Sequence, residues 1–251
     1  MTDDLWIRNF HPAPEAPTRL VCLPHAGGSA SFYFPVSRAL SPDIEVLAVQ
    51  YPGRQDRRSE PVITEVGVLA DHVVEQLALA GDDDRPLALF GHSMGALVAF
   101  EVARRLQARG TAPSALVVSG RRAPHLQREA NVHKRSDDGL VAELKALSGT
   151  DADLLGDEEI LRMILPAIRG DYQAVETYRI TPGPALTCPV LALVGDSDPR
   201  VDVEGVGGWE EHTETEFELK VLPGGHFYLV HEQEAVLSAI RKRVTTRPVA
   251  V

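Results

Sequence analysis

Residues 87–110 read LALFGHSMGALVAFEVARRLQARG, and this stretch decides the fold. It opens with the apolar run Leu87–Phe90, which is typical of a buried strand. It continues as a predicted helix with one apolar face, built at steps of three and four residues from Leu97, Phe100, Ala103 and Leu106. Between the two, residues 91–95 form the pattern Gly-x-Ser-x-Gly, which predicts a sharp strand-to-helix turn at Ser93.

Such a turn gives Ser93 the position of a nucleophile. The reversal forces an unfavourable backbone conformation on the serine, and the glycines Gly91 and Gly95 remove side chains that would collide where strand and helix approach. The hydroxyl would stand above the sheet at the amino end of a helix, where backbone N–H groups favour an anion. The alternative, a glycine turn with an incidental serine, leaves the flanking strand and helix unexplained.

The rest of the chain alternates short apolar runs with longer amphipathic ones. This pattern predicts β-α-β units and a mostly parallel sheet flanked by helices and, together with the turn at Ser93, an α/β-hydrolase fold. The predicted strands are Arg19–Leu23, Ile44–Gln50, Pro86–Phe90, Ala115–Ser119, Pro189–Val194 and Phe217–Leu222. The predicted helices between them are Ser31–Leu40, Glu65–Ala80, Met94–Arg109 and Glu232–Val244.

Residues 122–184 break this rhythm, since they contain no convincing strand. Their helical patterns lie at Asp138–Leu147, Asp157–Ile168 and Asp171–Tyr178. Roughly 60 residues are too many for a plain connection, so we predict an inserted helical lid at 122–184 and an α/β-hydrolase core made of residues 1–121 and 185–251. Apolar residues of this lid are expected mainly to pack the lid itself: Leu140, Leu144, Leu147, Ile160, Ile164, Leu165 and Ile168.

The composition is that of a globular enzyme, with 44% apolar and 24% charged residues among 251. A net charge of -11 disfavours binding to nucleic acid or to an anionic membrane. The amino terminus lacks a secretory signal pattern, and no apolar run approaches the roughly 20 residues that span a bilayer. No Cys/His spacing indicates a metal site. We therefore expect a cytoplasmic, monomeric enzyme without a metal.

A serine hydroxyl becomes a good nucleophile only when a neighbouring base takes its proton. In this fold the partners follow in the order Ser, Asp, His. The strand predicted at 189–194 runs into Gly-Asp-Ser-Asp-Pro, which offers two carboxylates. We choose Asp198 as the catalytic acid, because the loop can turn before it. Asp196 is the alternative acid, and its other expected role is to stabilise the loop as a hydrogen-bond acceptor. The last predicted strand runs into Gly-Gly-His, so His226 is the predicted base.

The oxyanion formed during acyl transfer needs two backbone donors. One is the N–H of Met94, directly after the nucleophile. The other is expected in the loop after the first predicted strand, which reads PHAGGS from residue 24, and we assign it to the N–H of Ala26. His25 is expected to brace this loop rather than to act in catalysis.

The chain also carries the segments LPHAGG at 23–28, YPGR at 51–54 and VSGRRAP at 118–124. With them, nearly the whole chain resembles the type II thioesterases that accompany polyketide synthases and nonribosomal peptide synthetases. The resemblance implies hydrolysis of short or aberrant acyl groups from the phosphopantetheine arm of acyl carrier proteins. It also implies that residues 122–184 are a mobile lid, and that the enzyme needs no cofactor of its own because the substrate carries the phosphopantetheine.

Carrier domains tend to be acidic, and this chain is acidic too, so docking would need a local basic surface. Arginines follow two predicted strand ends near the expected mouth of the site: Arg54, Arg57, Arg58, Arg121 and Arg122. They are the candidates for carrier docking, and a solvated charged rim is the alternative reading.

Other functions stay open at this stage. A carboxylesterase or lipase for small free esters would use the same Ser, Asp and His, and an acyltransferase would result if an alcohol or amine outcompeted water. An inactive hydrolase fold that binds carriers is the alternative from another class, although the complete catalytic set argues against it.

Overall fold

The structure, a computed structural model, describes residues 5–79, 83–126, 130–148 and 158–245. Within these ranges the strands are β1 (Ile7–Arg8), β2 (Arg19–Leu23), β3 (Glu45–Val49), β4 (Leu87–His92), β5 (Ala115–Ser119), β6 (Val190–Gly195) and β7 (Phe217–Leu222). They form one sheet in the order β1-β3-β2-β4-β5-β6-β7. All neighbouring pairs are parallel except β1 with β3. The predicted mostly parallel sheet is therefore confirmed.

Helices cover both faces of this sheet. Within the described ranges they are α1 (Phe34–Leu40), α2 (Val66–Leu79), α3 (Met94–Ala108), α4 (Asp137–Ser148), α5 (Glu158–Thr177), α6 (Val203–Gly207), α7 (Tyr228–His231) and α8 (Gln233–Thr245). None of the helices in the described part of the chain is long and apolar enough to cross a bilayer.

The apolar core has two parts, one on each face of the sheet. Successive residues of β4 point to opposite faces, so Leu89 packs with the cluster that includes α2 and α3, while Phe90 packs with the one that includes α1 and α8. Both side chains are buried almost completely. This two-sided burial explains why inner strands such as β4 and β5 read as continuous apolar runs. β7, at the edge of the sheet, instead alternates apolar and charged residues.

The structure differs from the prediction at one pair of helices and at one strand. The helices expected at Asp157–Ile168 and Asp171–Tyr178 are one helix, α5, which runs through Gly170. A Cβ on Gly170 would lie 2.5 Å from Cγ1 of Val62, so this glycine permits close packing instead of ending the helix. Strand β1 was not predicted, because two residues at a sheet edge carry no periodic signal.

The insertion between β5 and β6 contains α4, α5 and short 3₁₀ turns, and its described residues form no strand. Helices α4 and α5 pack on each other around Leu140, Leu165 and Ile168. The division into core and lid stays a prediction. The start of the helix predicted at Asp157 and the side chain of Ile160 lie outside the described residues.

Candidate active site

Ser93 occupies the strained turn that its sequence context predicts. Its backbone has φ 54° and ψ −113°, a region that non-glycine residues rarely adopt. The flanking residues must be glycines because other backbone segments approach them closely. A Cβ on Gly91 would lie 2.0 Å from the carbonyl oxygen of Gly95, and a Cβ on Gly95 would lie 2.0 Å from the carbonyl oxygen of Leu23. The turn therefore presents the Ser93 hydroxyl at the carboxyl end of β4, before the amino end of α3.

His226 and Asp198 meet this hydroxyl from two other loops. Nε2 of His226 lies 3.1 Å from Oγ of Ser93, and its Nδ1 lies 2.8 Å from Oδ2 of Asp198. The other oxygen of Asp198 accepts hydrogen bonds from the N–H groups of Arg200 and Val201 at 2.8 and 3.2 Å. The fully buried carboxylate is thus fixed in orientation, and it holds the imidazole with Nε2 toward the serine.

Asp196, the alternative acid, serves the loop instead. Its Oδ1 accepts hydrogen bonds from Oγ of Ser197 and from the N–H of Gly224, at 2.5 and 3.0 Å. The Ser197 hydroxyl, and then the Gly224 N–H, hold the pKa of Asp196 below its ordinary value. This exposed carboxylate therefore ties the loop after β6 to the loop after β7, and the hydrogen bonds of the described residues do not join it to His226.

The two backbone donors assigned to the oxyanion are both available. Ala26 lines the same cavity as Ser93 and His226, and Met94 is the first residue of α3. Neither the N–H of Ala26 nor that of Met94 donates to an acceptor in the described part of the chain. Their use as oxyanion donors remains a prediction that this geometry supports.

Two neutral histidines adjoin the site, and one of them, His25, lines the cavity. His25 makes edge contacts with Phe32 and Phe227, at ring-centroid distances of 4.7 and 5.0 Å, and burial lowers its pKa to about 3. His92 is fully buried, its Nδ1 lies 2.9 Å from Oγ of Ser119, and burial lowers its pKa well below the ordinary value. Both rings therefore fill space without adding charge beside His226.

A cavity of about 480 Å³ opens in front of the Ser93 hydroxyl. One part of its wall is apolar and comes from α4 and α5, with Leu144, Leu147, Ile164, Ile168, Tyr172 and Val175. Another part is charged, with Arg121, Arg122, Glu143, Glu176 and Arg200. Four of the apolar residues expected mainly to pack the lid thus face the cavity, whereas Leu140 and Leu165 do pack the lid.

Three of the five arginines predicted to dock a carrier protein are buried. Arg54, Arg57 and Arg122 are only 6%, 4% and 8% exposed, because carboxylates or carbonyl groups of this chain bind their guanidinium groups. Arg121 is partly buried in the cavity wall, and burial lowers its pKa to about 10. Arg58 is exposed and stays a candidate.

Two carboxylates of the insertion also approach the site, and they were not found from the sequence. Glu143 of α4 pairs with Arg200, two residues after the predicted catalytic acid. Asp171 of α5 pairs with Arg54 at 2.7 Å. Each contact joins positions far apart along the chain, so no local pattern could reveal it. Among the described residues, no cluster of three or more His, Cys, Asp or Glu side chains is suited to a metal ion.

Comparison with known proteins adds a family to this geometry. Residues 18–244 match the Thioesterase domain family. A relative from Streptomyces griseus, named "Probable cadicidin biosynthesis thioesterase", is 53% identical over 94% of this chain. The chain spans 64% of the length of that relative.

Solved structures agree with this similarity. The type II thioesterase BorB, from the borrelidin biosynthetic cluster, is 51% identical and superposes with a TM-score of 0.91 over 97% of this chain and 99% of its own. YbtT, a type II thioesterase from the yersiniabactin NRPS/PKS pathway, is 32% identical with a TM-score of 0.84 over 95% of this chain and 98% of its own.

Proposed function

The chain belongs to the thioesterase family, and from this premise we propose that it is a type II thioesterase that clears acyl groups from acyl carrier proteins. The observation that carries the proposal is the hydrogen-bonded series Ser93, His226 and Asp198, with steps of 3.1 and 2.8 Å, beside a cavity that has an apolar wall. The same arrangement supports hydrolysis through an acyl-enzyme.

In the acylation step, Ser93 Oγ attacks the thioester carbonyl carbon while His226 Nε2 takes the hydroxyl proton. The negative charge that develops on the carbonyl oxygen is stabilised by the N–H groups of Ala26 and Met94, and by the amino end of α3. The tetrahedral intermediate collapses when the C–S bond breaks. His226 returns its proton to the leaving sulfur, so the phosphopantetheine thiol departs and the acyl group stays on Ser93.

Deacylation repeats the sequence with water. His226 takes a proton from a water molecule while the water oxygen attacks the acyl carbon. The second tetrahedral intermediate collapses when the bond between that carbon and Ser93 Oγ breaks, and His226 returns the proton to Oγ, which leaves the free acid and the Ser93 hydroxyl. Asp198 keeps the imidazole in one tautomer and stabilises its protonated form in both steps. No cofactor takes part in this cycle, because the phosphopantetheine arrives with the substrate.

The cavity walls are consistent with a small acyl group. Tyr172, Val175 and Ile168 would contact an apolar chain, and about 480 Å³ lies at the lower end of the range for small-molecule pockets. We propose that the partner is a carrier domain of a polyketide synthase or nonribosomal peptide synthetase, that residues 122–184 cover the bound acyl chain as a lid, and that the enzyme acts as a monomer.

The test compares hydrolysis of a propionyl-loaded carrier protein with hydrolysis of a p-nitrophenyl ester of the same acyl group. We expect turnover of the carrier substrate by the unmodified enzyme and none by Ser93→Ala. Fast cleavage of the ester with an inert carrier substrate would instead indicate a small-ester carboxylesterase. Binding of the carrier without any turnover would indicate an inactive binding protein.

A further inference from the structure

A buried aspartate lies against the oxyanion loop, which we define as residues 24–29. Asp171 of α5 is 0% exposed, and its Oδ2 accepts a hydrogen bond of 2.7 Å from the N–H of Gly27. Gly27 follows Ala26, the residue assigned as an oxyanion donor. A carboxylate that is fully removed from water is costly unless it is paired and hydrogen-bonded, so its environment must satisfy it.

Arg54 completes that environment. Its Nη1 and Nη2 bind the two oxygens of Asp171 at 2.7 and 2.9 Å, which is the bidentate geometry of a strong ion pair. The same Nη1 donates to the carbonyl oxygen of Gly28 at 3.2 Å. The ion pair therefore binds the oxyanion loop at two successive residues, at the N–H of Gly27 and at the C=O of Gly28.

This contact bears on the orientation of one peptide group. The loop contains a turn closed by a 2.9 Å hydrogen bond from the N–H of Gly28 to the carbonyl oxygen of His25, and Gly27 has φ +75° within it. A turn of this kind has two arrangements that differ by a flip of its central peptide, here the one between Ala26 and Gly27. Asp171 binds the N–H of that peptide and so selects one arrangement.

Helix α5 contacts the loop at a second point. A Cβ on Gly27 would lie 2.7 Å from Cγ1 of Ile168, which is three residues before Asp171 and on the same face of α5. The helix that forms part of the cavity wall thus packs directly against the loop that carries Ala26.

We propose that Asp171 is a positioning residue, which aligns the oxyanion loop through Gly27 and makes the oxyanion site complete only when α5 is seated on it. This inference rests on the proposed function, because it concerns the transition state of that reaction. Asp171 is not among the residues that line the cavity, and it acts indirectly. It fixes the peptide group between Ala26 and Gly27, which adjoins the peptide that carries the Ala26 N–H, and Arg54 holds the carboxylate in place.

Two double variants isolate the hydrogen bond from the charge. Arg54→Met/Asp171→Asn and Arg54→Met/Asp171→Leu both remove the ion pair, so neither leaves a lone buried charge. They differ in that the amide oxygen of asparagine can accept the Gly27 N–H, whereas leucine cannot. For a small acyl thioester, kcat should be about 10- to 100-fold lower in the leucine variant than in the asparagine variant, with KM nearly unchanged. The reason is that a displaced oxyanion donor selectively weakens stabilisation of the transition state.

A trifluoromethyl ketone provides a second measurement, since it forms a tetrahedral oxyanion adduct with an active serine. Its affinity should fall by a similar factor between the asparagine and leucine variants. Equal kcat values in the two, or a change confined to KM, would overturn the proposal. Glu60→Gln is the matched control, because it removes the carboxylate partner of another buried arginine, Arg57, away from the loop. A comparable loss of kcat there would show general destabilisation and would also overturn it.

Hydrogen exchange tests the contact in the unmutated protein, so this measurement does not require a variant that folds. The amide of Gly27 should exchange about 100-fold or more slowly than an unstructured amide, because its N–H is bonded to a buried carboxylate. Rapid exchange would contradict the contact itself. The exchange rate of this amide does not depend on catalysis. Retained turnover in Ser93→Ala would therefore refute the proposed function, whereas the exchange rate would still test the contact between Asp171 and Gly27.

Discussion

Nδ1 of His226 lies 2.8 Å from Oδ2 of Asp198, and this contact favours Asp198 over Asp196 as the catalytic acid. We expect Asp198→Asn to lower kcat for a small acyl thioester by about 10³- to 10⁴-fold, because an amide in this position favours the wrong imidazole tautomer and cannot stabilise its protonated form. Steady-state kinetics at neutral pH provide the measurement.

Asp196→Asn is the matched control for that substitution. It alters a carboxylate two residues away that binds Ser197 and Gly224 rather than His226, so kcat should stay close to that of the unmodified enzyme. A large loss in Asp196→Asn with little loss in Asp198→Asn would assign the acid to Asp196.

The backbone strain at Ser93 predicts that a glycine variant is more stable than an alanine variant, which is the reverse of the usual order in a helix. At φ 54° a side chain is strained and glycine is not, so Ser93→Gly should be more stable than Ser93→Ala by about 1 kcal/mol. For a chain of this size the difference corresponds to about 2–4 °C in Tm. Thermal unfolding of the two inactive variants measures it.

An exposed helical serine supplies the comparison. At Ser238 in α8, glycine should be less stable than alanine by about 1 kcal/mol, because glycine loses more backbone entropy in a helix. The same order at both positions would mean that the turn stores no strain at the nucleophile.

The elements and residues that the sequence predicts well are those with a local signal. The predicted bounds of β2, β5 and β7 agree with the structure. β2 and β5 are mainly apolar runs, whereas β7 alternates apolar residues with Glu218 and Lys220, and turn residues follow it. Ser93, Asp198 and His226 were predicted in the same way, since each lies in the turn or loop that follows a strand and glycines mark that loop. Parallel strands then bring their carboxyl ends to one edge of the sheet, which explains why local signals sufficed for these three.

The buried arginines could not be predicted, because their partners come from the tertiary structure. Arg54 binds Asp171, which is 117 residues away along the chain, and no sequence pattern near either residue predicts this contact. Arg57 is a partial exception, since Glu60 three residues later is a local hint of pairing. An arginine is usually exposed, and only the packed fold shows which one is enclosed.

Arg57 and Arg58 should therefore respond differently to substitution. Arg57 binds Glu60 through two hydrogen bonds, donates to the carbonyl oxygen of Gln50 and lies 4.5 Å from the ring centre of Trp6. Arg57→Ala should lower the free energy of unfolding by about 2 kcal/mol, because these contacts are lost together. Urea unfolding measures the change.

Arg58→Ala should change that free energy by about 0.5 kcal/mol or less, since its side chain is exposed. If Arg58 contributes to carrier docking, its substitution by Glu raises KM for an acyl-carrier substrate and spares a small thioester. Equal losses on both substrates would remove Arg58 from the docking surface, and equal stability losses in the two alanine variants would contradict the burial of Arg57.

His92 makes the stability of the fold sensitive to acid. Burial lowers its pKa well below the ordinary value, with smaller effects from His226 and His25, so the folded protein keeps this ring neutral where the unfolded chain protonates it. The unfolded state then binds more protons below about pH 6.5, and the free energy of unfolding must fall as the pH is lowered through that region.

His92→Asn isolates this contribution, because an asparagine amide can replace Nδ1 in the contact with Ser119 but does not titrate. Well below pH 6.5, the slope of the unfolding free energy against pH should be smaller in the variant by up to about 1.4 kcal/mol per pH unit, the value for one proton. Urea unfolding at a series of pH values from 7.5 to 4.5 gives both slopes, with about 6.5 as the expected onset of their divergence. Parallel curves would mean that His92 takes up its proton in the folded state, and a ring charged in that way could not lie beside His226 as a neutral packing group.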